Sequence, residues 1–468
     1  LTSALYEDPI ILFREYAQNS LDAYIDATRD KSKEFEDFSV EIKIDNKNTN
    51  IEIRDNGYGI QEKNFLTEMK RIGESNKKVD QIGFRGIGRL SAMPLCKELI
   101  FENKPQGINK RLIFKWDGET FNKLLNKGQD INASLDDLTS FNPNEKYDGN
   151  IDDHYFKVEI RGYKEAIDEL LKSKEFIARL SVLLPLRYSP DFKKQEEIKK
   201  KYQEFMGQSL NKYTCNVRLD KKELYKPYND THILKSGIRF WELIYPGKGE
   251  KVPDEKIGIL WFTFNQVIKA LPKDAPYGIS VRSKNMLMGD RYSLASDASR
   301  SKTDYITTFR ELAQTLNGVC GEMLIDHKLN DNARRDWFKI DEESIKLRQI
   351  IVEFMRRLHT YRYAASNYFT GKEKKEEKLI EAFKGLITNY EPDKFISDVN
   401  KLKKEIEASK KVFEFADEDI PTLSPSLKRF YERLMTGLYK YFSEKGEIEE
   451  FIKARKYLKE YLNTEPKS

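Results

Sequence analysis

In LFREYAQNSLDAYIDA, residues 12–27, Glu15, Asn19, Asp22 and Asp26 recur every three or four positions, so a helix would carry three carboxylates and an amide in one stripe. A carboxylate one turn from an amide oxygen can accept a proton from water and help to hold a hard cation. Taken alone, the same stripe is an ordinary solvated helix face. Its meaning depends on what the rest of the chain sets beside it.

Three further elements follow in order: a strand ending in Asp55-Asn56-Gly57-Tyr58-Gly59, a helix stopped at Gly73, and the loop Gly83-Phe84-Arg85-Gly86-Ile87-Gly88. Each is weak by itself, because DxGxG is commonly a turn and GxxGxG an abundant loop composition. Together, at this spacing, they resemble the GHKL ATPase family, named for gyrase, the ninety-kilodalton heat-shock chaperone, histidine kinases and MutL. The family's ExxxNxxDA motif is matched by Glu15, Asn19, Asp22 and Ala23, its DxGxG by Asp55, Gly57 and Gly59, and its GxxGxG by Gly83, Gly86 and Gly88. The stretches IGESNKK and QIGFRGIGRLSA look most like the lid and glycine loop of the chaperone and of MORC-type ATPases.

The resemblance implies ATP and Mg²⁺ as ligands. It makes Glu15 the base that takes a proton from the attacking water, Asn19 the Mg²⁺ ligand, and Asp55 the acceptor for the adenine amino group. Gly57 and Gly59 would let backbone approach the base, with Asp22 supporting the pocket from behind. The loop of Gly83, Arg85, Gly86, Ile87 and Gly88 is expected to cradle phosphate with backbone N–H groups, aided by the dipole of a helix opening near Arg89. Arg85 is a second phosphate candidate, solvation being its alternative. Lys77 and Lys78 fall in a lid shorter than the chaperone's, and Lys77 is carried as a nucleotide contact. A transducer domain of the ribosomal S5 type is implied downstream, donating a basic residue to the γ-phosphate. Arg334, two residues after Asn332, is favoured for that role over Arg335, Arg282 and Lys284.

The elements that must position these residues read as α+β. A helix spans 5–30, SVEIKID and IEIRD form a hairpin, and QEKNFLTEMKRI and RLSAMPLCKEL read as helices around the lid and glycine loop. Strands such as RLIFKW and FKVEIRG and the helical YKEAIDELLKSKEFIARLSVLL complete a domain over 1–190, expected by resemblance to be the GHKL (Bergerat) sandwich. DFKKQEEIKKKYQEFM reads as a solvated helical connector within 191–212, followed by a strand-rich domain over 213–340, the S5-like transducer. From 341 to 468, apolar residues at i, i+3, i+4 spacing, such as Leu347, Ile350, Ile351 and Phe354, predict an all-helical region for a client or partner protein.

Composition narrows the function classes. A chain of 468 residues is long enough for several domains, and 34% charged against 39% hydrophobic residues with no long apolar run argues for cytosol and against a membrane span. The chain opens at Leu1 rather than Met, which leaves room for residues ahead of it. Three cysteines without metal-ligand spacing give neither a zinc site nor a disulfide framework. His154, His232, His327 and His359 are isolated, which removes a phosphoacceptor kinase, and no cleavage-domain pattern of a topoisomerase or MutL endonuclease appears. What remains is a slow ATPase that closes as a homodimeric, chaperone-like clamp on a partner protein, or a MORC-like clamp on DNA of antiviral type. The net charge of +5, from 82 basic and 77 acidic residues, does not by itself indicate DNA.

Overall fold

The periodicities of the first sixty residues produce a helix and then a hairpin. Helix α1 (Ile11–Ala27) buries Leu12, Phe13, Tyr16, Ala17, Leu21 and Ile25. Strands β1 (Ser39–Asp45) and β2 (Asn50–Asp55) pair antiparallel and turn Val40, Ile42, Ile51 and Ile53 toward the same core. The computed structural model describes residues 8–28, 38–70, 88–127, 135–234, 237–247, 253–265, 276–300, 308–326, 329, 337–370, 372–373, 375–386, 397, 399–400, 434–435, 437–439, 441–442 and 448–464.

Helix α2 (Glu62–Lys70) follows, and beyond Gly88 the expected α-helix is absent. Residues 88–95 instead make two short 3₁₀ turns, Gly88–Leu90 and Met93–Leu95. Pro94 explains the difference, since it lacks an N–H and disfavours helical backbone in the residue before it. A helix-dipole contribution to phosphate binding at this point is therefore withdrawn.

The chain continues through β3 (Glu98–Lys104), β4 (Lys110–Asp117), α3 (Gly118–Asn126), α4 (Leu135–Leu138), β5 (Thr139–Lys146), β6 (Tyr155–Arg161), α5 (Glu165–Lys172) and α6 (Phe176–Leu183). It then enters α7 (Gln195–Met206) and returns with β7 (Asn216–Leu219) and β8 (Lys222–Leu224). The first sheet has the order β5-β4-β3-β6-β2-β1-β7-β8, and only the β1–β7 pairing is parallel. Residues 216–224, expected in the next domain, thus complete this sheet.

The second sheet is built from β9 (Arg239–Tyr245), β10 (Glu255–Phe264), β11 (Gly278–Ser283), β12 (Met286–Met288) and β13 (Val319–Ile325), in the order β12-β11-β13-β10-β9. Helices α8 (Ser293–Ser299) and α9 (Phe309–Leu316) precede β13. Strand β13 is buried along its whole length and β10 along most of it, the pattern of strands covered on both faces. Ile198, Tyr202 and Phe205 of α7 pack against Ile259 and Trp261, so α7 is more than a solvated connector. The i, i+4, i+7 stripe lay between its lysines. Phe354 of α10 (Glu342–Phe369) meets Phe262 and Trp241 at ring-centroid distances of 5.3 and 5.4 Å.

The second sheet carries a buried ionic joint. Glu322 on β13 and Arg282 on β11 are both 0% exposed, and Arg282 Nε donates to Glu322 Oε1. The other guanidinium nitrogens reach the carbonyls of Asn285 at 3.1 Å and Val182 at 2.7 Å. Lys226, just past β8, places Nζ 3.1 Å from Glu322 Oε2, an oxygen that also accepts from Tyr188 Oη and, at 3.3 Å, Trp261 Nε1. Residues of the second sheet and of the segments after α6 and β8 therefore converge on one carboxylate. Burial pushes the Glu322 carboxyl up, but Lys226 and Arg282 outweigh it and hold it below the usual range.

The chain divides into two compact units, Leu1–Thr360 and Tyr361–Ser468. In the second, α11 (Glu377–Leu386) buries Leu379, Phe383 and Leu386, and α12 (Ile448–Thr464) is the last helix described. The described elements of that unit are helical. No described helix is long and apolar enough to cross a membrane.

Candidate functional site

Helix α1 is buried on nearly every side, which its apolar stripe alone does not explain. Arg14, Glu15, Gln18, Ser20 and Asp22 are buried as well, and Asn19 is half-buried. The polar side is covered by the turn at Gly88, tied on by a hydrogen bond of 2.9 Å from Tyr16 Oη to the Arg89 carbonyl. Glu15 is 1% exposed and its Oε1 lies 3.2 Å from an Arg14 guanidinium nitrogen. The other oxygen presses on Gly88, where an added Cβ would stand 2.1 Å from Oε2. The first and third motifs thus meet at this carboxylate.

The second motif is joined to the same helix. Asp55, at the end of β2, is 4% exposed, and its Oδ2 accepts from Ser20 Oγ at 2.7 Å. Its Oδ1 accepts the Gly57 N–H at 2.9 Å, and a Cβ on Gly57 would stand 2.9 Å from that same oxygen. Glycine at 57 therefore serves the protein's own turn. Burial pushes the Asp55 carboxyl above its ordinary value, opposed by the bonds from Ser20 and Gly57. Protonation would turn one of its oxygens from acceptor to donor, so a bond that needs the ionised carboxylate is lost at higher pH than with an ordinary Asp. The Asn56 side chain fixes the strand end by accepting the Ser39 N–H at 2.8 Å.

Glu15, Asn19, Asp22, Asp55, Gly57, Gly59 and Gly88 are thus carried by α1, by the loop after β2 and by the turn at 88. Lys77, Gly83, Arg85, Gly86, Ile87 and Arg334 lie outside the described residues, as do Lys78, Asn332 and Arg335. Arg282 is removed as a phosphate candidate, because its guanidinium is spent inside the ionic joint. Ser20, which is not one of the fixed positions of the first motif, holds Asp55. Its position directly after Asn19 was the available signal. Among the described residues no cluster of His, Cys, Asp and Glu is arranged to hold a metal.

Residues 12–142 match the family model described as "Histidine kinase-, DNA gyrase B-, and HSP90-like ATPase". The chain carries a GHKL domain. Its similarity to curated chaperones is distant. The chain is 28% identical over 138 residues to the chaperone protein HtpG of Sulfurovum sp., covering 25% of this chain and 22% of that protein. It is 25% identical over 203 residues to HtpG of Natranaerobius thermophilus, covering 37% and 32%. The matched stretches therefore span only about a fifth to a third of the length of these relatives. Among solved structures, the ATPase and transducer domains of DNA topoisomerase II from Balamuthia mandrillaris superpose with a TM-score of 0.41 at 12% identity, over 77% of this chain and 86% of that one. The ATPase region of Saccharomyces cerevisiae topoisomerase II gives 0.37 at 13%, over 70% and 76%.

Proposed function

We propose that this GHKL protein binds ATP with Mg²⁺, hydrolyses it slowly, and uses nucleotide state to close a homodimer on a partner protein held by its helical C-terminal region. The observation that carries the reading is the Glu15 carboxylate, buried on α1 and seated against Gly88. It brings a base, an amide ligand one turn away and a phosphate-type glycine turn to one place. Asn19 would hold Mg²⁺, which supplies neutralisation of phosphate charge. Asp55 would accept from the adenine amino group, a task for which Ser20 and the Gly57 N–H preset its carboxylate.

In this reading Lys77 and the loop of Gly83, Arg85, Gly86 and Ile87 complete the nucleotide contacts, Asp22 backs the pocket, and Arg334 senses the γ-phosphate. The second sheet then serves as the transducer, standing in sequence between the ATP-binding domain and the helical region from 341. The three cysteines, all buried and free, fit a reducing cytoplasm.

The test is phosphate release by the purified chain, with its solution mass measured with and without a non-hydrolysable ATP analogue. Slow release and a doubled mass with the analogue are expected. Release no faster than from a Glu15→Ala variant refutes hydrolysis, and an unchanged mass refutes the dimeric clamp.

Gly88→Ala gives a second, sharper result. Its methyl group displaces the Glu15 carboxylate, and a misplacement of about 1 Å costs on the order of 10²-fold in rate. Turnover should fall by that order in a chain that still melts cooperatively. Unchanged turnover would separate Glu15 from the chemistry.

A further inference from the structure

The loop from Asp55 to Ile60 is held from behind by residues that no motif contains. Asn103, near the end of β3, is 0% exposed, and its side-chain amide bonds twice to one residue: Oδ1 accepts the Ile60 N–H at 2.8 Å, and Nδ2 donates to the Ile60 carbonyl at 2.7 Å. The amide acts as a rung of strand pairing supplied by a side chain. Gly59 has a φ of 68°, and a Cβ there would stand 2.6 Å from Asn103 Oδ1 and 3.0 Å from the Lys104 carbonyl. The glycine is what lets the amide in.

A second hold comes from β6. His154, just before that strand, places Nδ1 2.9 Å from the Gly57 carbonyl and stacks its ring on Tyr58 at 4.9 Å. A carbonyl can only accept, so this contact requires the proton on Nδ1. Lys104 joins the two holds. It follows Asn103 in β3, is fully buried, and donates to the carbonyls of Pro105 at 3.1 Å, Ile151 at 3.0 Å and Asp153 at 2.7 Å. The last two belong to the turn that presents His154.

We propose that Asn103, Lys104 and His154 form a brace that presets the Asp55–Ile60 loop for its nucleotide, as positioning residues that touch the loop and not the ligand. The inference rests on the reading that this loop receives the base. A loop already ordered adds no ordering cost on binding, so the brace acts on affinity while the chemistry at Glu15 proceeds unchanged.

The test uses the full chain and steady-state ATP hydrolysis, with ATP binding and melting measured in parallel. His154→Phe keeps a ring on Tyr58 and removes the donor, whereas His154→Asn returns an N–H near the Nδ1 position. We expect His154→Phe and Asn103→Ala to raise the KM and Kd for ATP about tenfold, as for loss of one buried hydrogen bond, with kcat within about twofold. His154→Asn should restore most of the affinity, and the melting midpoint of the His154 pair should not change. Asp55→Asn separates the two readings. If Asp55→Asn loses ATP while His154→Phe binds normally, or if His154→Asn is as impaired as His154→Phe, the brace is overturned. If Asp55→Asn binds ATP as the wild type does, the nucleotide loop itself is misassigned and the brace falls with it. Should Asn103→Ala fail to fold, the half-buried His154 pair decides alone.

Discussion

Glu15→Gln should retain ATP binding and lose hydrolysis by about 10²–10⁴-fold, the range contributed by a positioned general base. The substitution is nearly isosteric, so the packing against Gly88 and the neighbouring Arg14 is kept while the basic oxygen is lost. A change confined to kcat would place the role in the transition state, whereas a rise in KM alone would mean that the residue only binds. Single-turnover phosphate release, with a binding titration on the same preparation, distinguishes these outcomes. Turnover equal to that of the wild type removes Glu15 from catalysis.

The largest stability effect is expected at Glu322. Glu322→Leu leaves Arg282 and Lys226 buried without their anion, a situation that costs about 3–5 kcal/mol and lowers the melting midpoint by on the order of 10 °C. Replacing all three by Leu, Met and Met should recover much of the loss, because no charge is then left unpaired. Two cations share one carboxylate here, and Arg282 cannot shed its proton, so Lys226 holds its own weakly. Burial pulls the Lys226 ammonium well below its ordinary value of 10.5. The unfolded chain binds that proton more tightly, so stability should rise with pH between the lowered and the ordinary value, and Lys226→Met should flatten the rise. Denaturant midpoints across that interval provide the measurement. A Glu322→Leu chain as stable as the wild type would show that these charges are not confined as described.

The parts of the site that could be read ahead of the structure are those encoded within a few residues of each other. Glu15 and Asn19 share a helix face, and Asp55 ends a strand whose alternation is unmistakable. Contacts across long stretches of chain left no such mark. Nothing local pairs Asn103 with Ile60, or Ser20 with Asp55, and only folding brings them together. RLSAMPLCKEL reads as a helix behind the last glycine, and the single proline within it breaks that helix into two short 3₁₀ turns. The charge of Arg282 makes it a phosphate candidate in the sequence, whereas its place on β11 beside Glu322 of β13 decides its use. The parallel pairing of Ser39 with Asn216 was equally hidden, because strands so distant share no turn.

That last pairing has a consequence for the order in which the protein is made. Until residues 216–219 are available, β1 has a partner only in β2, and its outer edge presents unpaired N–H and C=O groups. A ribosome adding about 5–20 residues per second needs roughly ten to thirty seconds to pass from Asp45 to Leu219. Through that interval the nascent chain carries an open template for pairing with other strands, which the arrival of β7 closes from within.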